Sequence, residues 1–77
     1  MKLSSQKVLS QILPGEIGII FEFLDSGVAT KLLSMGVLPG STIEVRRYAP
    51  WGGGMIIKVD ELVIALRKDE AETISIK

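Results

Sequence analysis

Between Ser41 and Lys77 the chain packs four short runs, STIEVRRY, MIIKV, LVIALR and TISIK, each rich in β-branched residues and each bounded by a turn. Such runs form strands, because a branched side chain fits the pleated surface of a sheet better than the crowded surface of a helix. Alternation gives each an apolar face: Ile43 and Val45 in the first, Met55, Ile57 and Val59 in the second, Leu62, Ile64 and Leu66 in the third, Ile74 and Ile76 in the last. Upstream, EIGIIFEFL reads as a further strand, with Ile17, Ile19, Phe21 and Phe23 on one face and Gly18, Ile20, Glu22 and Leu24 on the other. The run is apolar on both faces, and Phe21 and Phe23 are expected in the core. Gly18 suits a bulge or the close approach of another segment. The pattern predicts a mainly β domain, a closed or nearly closed small barrel of about five strands, closure being the way a small sheet removes its exposed edges.

Two helical segments interrupt the strands. SSQKVLSQILPGE opens with serines that cap a short helix, places Val8, Leu9, Ile12 and Leu13 at helical spacing, and stops at Pro14 and Gly15. In DSGVATKLLSMGVLPG, Ser26 is the expected cap of a short inserted helix carrying Val28, Ala29, Leu32 and Leu33 on one side. Gly36 closes it in the left-handed conformation, and Pro39 with Gly40 forms a type II turn. KDEAE makes one further helical turn, expected to be capped by Asp69, and Asp60-Glu61 a two-residue hairpin connection.

With 77 residues the whole chain, 1–77, is one domain, too short for two units that each bury a core. Nine basic and nine acidic residues cancel, so no overall charge draws the protein to nucleic acid or to an anionic membrane. Without cysteine there are no disulfides, which fits a reducing, cytoplasmic setting. No apolar run reaches signal-peptide or membrane-spanning length, so direct membrane insertion is not expected.

The residue inventory also narrows the chemistry. Histidine and cysteine are both absent, which removes the commonest general base, the thiolate nucleophile and the usual transition-metal ligands. An enzyme is not expected. The best local carboxylate pair is Asp69 with Glu72, at helical i, i+3 spacing, a weak candidate for a divalent metal, with surface solubility the plainer role. The glycine run Gly52 to Gly54 leads into a β-branched strand, where a phosphate loop would need a helix, so it reads as a hairpin connection. Arg46 and Arg47 beside Tyr48 raise nucleic-acid binding, but strict alternation sends the arginines to opposite faces and acidic residues lie nearby, so this reading stays an alternative.

The order of motifs then becomes informative. LSQILPGEIGII from Leu9 to Ile20, KLLSMGVLPGSTIEVRRYAPWGG from Lys31 to Gly53, and IALRKDEAETISI from Ile64 to Ile76 together resemble the ferrous-iron transport protein A (FeoA) family over nearly the whole chain. The resemblance implies an SH3-like small β-barrel and a cytoplasmic accessory role beside a FeoB-type membrane transporter of ferrous iron, whose cytoplasmic part carries a GTPase domain. It also implies transition-metal binding in a general way. The family's helix corresponds to Val28 to Met35, its glycine turns to Gly36 and Gly40, and its hairpin signature to Ala49-Pro50. Two departures are Trp51 with Gly52 to Gly54, where relatives often carry a second proline, and Asp60-Glu61, where a glycine turn is common. The same barrel type occurs as the C-terminal domain of metal-dependent repressors, whose DNA-binding domain precedes it. A short lead after Met1 favours a stand-alone module, monomeric or weakly self-associating. The partner-binding residues expected are Lys31, Ser34 and Met35 on the helix's outer side, with Tyr48 and Trp51 near the hairpin tip.

Overall fold

The computed structural model describes residues 7–50 and 52–77. The serines expected to cap the N-terminal helix, and Trp51, lie outside the described residues. Among the described residues the elements run in the order β1 (Lys7–Val8), a 3-10 turn (Leu9–Gln11), β2 (Ile17–Phe23), α1 (Ser26–Ser34), β3 (Thr42–Tyr48), β4 (Gly54–Val59), β5 (Leu62–Arg67), α2 (Lys68–Ala71) and β6 (Ile74–Ile76). The strands form one antiparallel sheet in the order β1-β6-β2-β3-β4-β5.

Most of the alternation holds. Ile43, Val45, Met55, Ile57, Val59, Ile64, Leu66, Ile74 and Ile76 are all buried, and they enclose Leu32 and Val37 contributed by the helical insertion. Gly36 (φ 85) ends α1 and Gly40 (φ 95) follows Pro39 in the turn to β3, where the Ser41 N–H donates to the Leu38 carbonyl at 2.9 Å. Both positions require the left-handed region that glycine enters without a Cβ clash.

Four local expectations are corrected. The sheet is not closed: β5 and β1 stand at its two ends, and β5 pairs only with β4 among the described residues. The N-terminal helix is shorter than its spacing predicts, because Lys7 and Val8 pair with Ile76 and Ser75 as a strand and leave only one 3-10 turn. Asp25, not Ser26, caps α1, its Oδ2 accepting the Val28 N–H at 2.9 Å. Asp69 does not cap α2; Glu70 reaches back instead, and its Oε1 accepts the Arg67 N–H at 2.9 Å.

Candidate functional site

The main departure from the sequence pattern creates the main surface feature. On β2 it is Gly18 and Ile20 that face inward, and Ile17, Ile19 and Phe21 that face out, 66%, 40% and 42% exposed. Phe21 is therefore not a core residue, and Phe23 is only partly buried against the core. The cause is local packing: a Cβ at Gly18 would collide with the side chain of Ile76, so that face of β2 has no room for a larger residue. A bulge between Ile20 and Glu22, in the pairing with β6, has Phe21 as its extra residue, further along the strand than Gly18.

Ile17 and Ile19, alternate residues on an extended strand, stand about 6.6 Å apart, and Phe21, the extra residue of the bulge, adds its exposed ring to form an apolar ridge on β2. Its flanks are polar. Across β3 the ridge is paired with Glu44 opposite Ile17 and Thr42 opposite Ile19, and on the other side the Lys77 Nζ lies 5.7 Å from the Phe21 ring centroid. The loop after α1 runs beside the ridge, tied to β2 by Gly40 N–H to the Ile20 carbonyl at 2.7 Å and by Ile20 N–H to the Ser41 carbonyl at 3.0 Å. Leu38 in that loop is also exposed.

The residues expected to bind a partner are divided between two places. Lys31, Ser34 and Met35 occupy the last turn and cap of α1 and are exposed, leading directly into the Leu38 loop. Lys31 is also held, its Nζ 3.0 Å from Glu70 Oε2 on α2, and the Ser34 hydroxyl donates to the Lys31 carbonyl at 2.7 Å. Tyr48 lies elsewhere. It follows the bulge on β3 and its hydroxyl donates to the Ile12 carbonyl at 2.9 Å, pinning the hairpin to the N-terminal segment.

A groove of about 580 Å³ runs between α1, the β3–β4 hairpin and β5, with Pro50, Ile56 and Ala65 among its lining. Lys31, Arg47 and Arg67 border it, with Glu70 as the acidic member. The Glu70 carboxyl is held below its ordinary value of 4.5, chiefly by the Arg67 N–H and then by Lys31. The hairpin connection is bent at Gly52 (φ 76), and the Ala49 N–H donates to the Gly54 carbonyl at 2.9 Å, closing it beyond Pro50.

Arginine alternation is also corrected. The β3–β4 register shifts between Val45 and Arg47, so Arg46 is the extra residue of a bulge and both arginines are exposed. Val45 and Tyr48 still pair with the inward-facing Ile57 and Met55. No sequence signal marks this bulge.

Metal binding finds a poor fit in these residues. Asp69 and Glu72 line one shallow concavity, but Arg67 and Lys68 line it too, and the Asp69 Oδ1 accepts the Glu70 N–H at 3.0 Å. Among the described residues no three His, Cys, Asp or Glu side chains are grouped to hold an ion. Two carboxylates beside two fixed cations do not supply the donor set that a divalent metal needs.

A single antiparallel sheet bent around one core, with a helix inserted between its second and third strands, defines an SH3-like β domain. The same fold is present in a manganese-dependent transcriptional repressor, at a TM-score of 0.85 and 16% identity, covering 97% of this chain and 37% of that one. The particular family is given by sequence as well as shape. The FeoA domain model matches residues 7–77, and the chain belongs to the FeoA family. A crystal structure of an iron uptake regulatory protein (FeoA) is 35% identical, with a TM-score of 0.79 and 94% of each chain covered. The solution structure of iron(II) transport protein A from Clostridium thermocellum is 37% identical, with a TM-score of 0.81 over 91% of this chain and 44% of that one. The family is one of small accessory domains linked to ferrous iron transport and is not a known enzyme family. No helix among the described residues is long and apolar enough to cross a membrane.

Proposed function

We propose that this protein is a cytoplasmic, non-enzymatic module that docks on the cytoplasmic part of a FeoB-type ferrous-iron transporter and biases its state. The observation that carries the reading is the β2 ridge. Ile17, Ile19 and Phe21 are exposed large apolar residues of one strand, with Glu44, Thr42 and Lys77 beside them, and a chain this small gains nothing for its own core by leaving them part-exposed. The docking face consists of that ridge, the adjoining Leu38 loop, and the last turn of α1 with Lys31, Ser34 and Met35. The β3–β4 hairpin that carries Tyr48 is a second, separate contact region in this reading, to which Trp51 belongs by sequence. Binding of this kind changes a partner only if the module prefers one partner conformation over another, and it needs no chemistry of its own.

Calorimetric titration against the transporter's isolated cytoplasmic part tests the reading. Phe21→Ser and Ile17→Ser each remove a large apolar group from a desolvated contact, and each is expected to weaken binding by at least tenfold, about 1.4 kcal/mol. Affinity unchanged in both variants refutes the ridge. Unchanged affinity in Trp51→Ala removes the hairpin tip alone.

A second reading, a nucleic-acid-binding barrel, is supported by the β3 bulge that leaves Arg46 and Arg47 both exposed. It predicts salt-dependent RNA or DNA binding that Arg46→Glu or Arg47→Glu abolishes. No binding at low salt ends it.

A further inference from the structure

Among the described residues β5 is an edge strand, and the orientation of its peptide groups follows from the hairpin before it. Val59 and Leu62 are partners across the two-residue turn Asp60-Glu61, which makes them a pair that exchanges both hydrogen bonds. The alternation then continues through Ile57 with Ile64 and Met55 with Leu66. The peptide groups of Val63 and Ala65 therefore point away from β4. At the next such position the Arg67 N–H is taken by Glu70, and the Lys68 N–H donates to the Gly53 carbonyl at 2.7 Å, so the open stretch is Val63 to Ala65.

The sequence of this stretch carries no guard of its own. Edge strands are ordinarily blunted by proline, a bulge or a charge, and Leu62 to Leu66 contains none of these. Val63 is 65% exposed and Ala65 is exposed beside it.

We infer that β5 pairs with β5 of a second copy of this chain, antiparallel across a two-fold axis at Ile64, continuing the sheet through both molecules. Self-complementarity selects both the occupant and the register. Only alternate residues offer peptide groups, so the register moves in whole steps. Centring on Ile64 sets Val63 opposite Ala65 of the second copy and brings Glu61, in the turn just before β5, towards Arg67 of the second copy, each contact occurring twice by symmetry. An apolar centre is thus flanked by opposite charges on both sides. One step either way loses this match: centring on Ala65 sets Val63 against Arg67, and centring on Val63 sets Glu61 against Ala65. A strand from an unrelated partner would have no reason to carry the same complementary spacing.

The inference does not rest on the docking reading, and its test uses the protein alone. Sedimentation equilibrium from about 10 µM to about 1 mM covers the range in which an interface this small associates. A monomer–dimer equilibrium is expected. Arg67→Glu and Glu61→Arg are each expected to weaken it at least tenfold by placing like charges opposite one another, and the double variant Glu61→Arg, Arg67→Glu is expected to restore it. Ala65→Pro removes an N–H that β4 does not use, so it abolishes the dimer, and Val63→Lys does the same without altering the backbone. A sample that stays monomeric at about 1 mM overturns the inference. So does a dimer that neither Arg67→Glu nor Val63→Lys weakens, or a charge swap that fails to recover what the single changes lose.

Discussion

Glu70 joins two parts of the fold through one carboxylate, so its removal has consequences that separate cleanly. Oε1 accepts the Arg67 N–H at 2.9 Å at the start of α2, while Oε2 lies 3.0 Å from Lys31 Nζ on α1. Losing a capping acceptor costs about 0.5–2 kcal/mol, and losing a largely exposed ion pair costs about 0.2–1 kcal/mol. Glu70→Ala should therefore destabilise by about 1–2 kcal/mol, and Glu70→Gln by less, since the amide oxygen still accepts from Arg67. For a domain this size each kcal/mol lowers Tm by about 4–8 °C, well within the resolution of thermal unfolding followed by circular dichroism. A cycle with Lys31→Met and Glu70→Gln isolates the ion pair, expected to couple by under about 1 kcal/mol. The pH dependence follows from the same contacts. Because folding lowers the Glu70 pKa from 4.5, its contribution is fully present above that value and is lost as pH falls through the lower folded value. The advantage of wild type over Glu70→Gln should thus shrink on acidification below about pH 4.5 and stay constant between pH 6 and 8. A Glu70→Ala variant within about 0.3 kcal/mol of wild type would refute the capping role, and an advantage that grows on acidification would refute the electrostatic one.

Gly54→Ala places a Cβ against the main-chain carbonyl of Leu66, which cannot swing aside as a side chain can, and should cost about 1–3 kcal/mol in urea unfolding. Tyr48→Phe removes the hydroxyl bond to the Ile12 carbonyl and should cost about 0.5–1.5 kcal/mol; faster amide exchange around residues 12–16 would locate the loss. Phe21→Ser, by contrast, should cost no more than about 1–2 kcal/mol, because the residue lies outside the core and is 42% exposed, and a thermal melt showing that variant folded lets weakened partner binding be read as a lost contact.

The strands after Ser41 were legible because each has one apolar face, and period-two patterning states directly which side chains turn inward. The second strand was harder, since EIGIIFEFL offers apolar residues to both faces and composition favours burying the larger ones, Phe21 and Phe23. The deciding signal was Gly18: a glycine in a strand marks the face on which another segment comes close, here Ile76, so Ile20 goes in and Phe21 goes out. That inversion hid the exposure of Ile17, Ile19 and Phe21 from a reading of alternation alone. The bulge at Arg46 shifts later side chains without any glycine or proline to announce it, and so overturned the expectation that the two arginines diverge. Closure was the other limit. Strand count and length suggest a barrel, but whether the last pair of edges meets depends on twist and on what fills the seam. Here α2 packs against β4, β5 and the 3-10 turn.

The most direct test of the docking reading is a residue-resolved map of the complex, made by following amide NMR resonances of the isotopically labelled protein as the transporter's cytoplasmic part is added. The account predicts perturbations centred on Ile17 to Phe21, the Leu38 loop and the last turn of α1, with the β5 edge changing only where self-association changes. Saturating addition that leaves β2 and α1 unperturbed would contradict it.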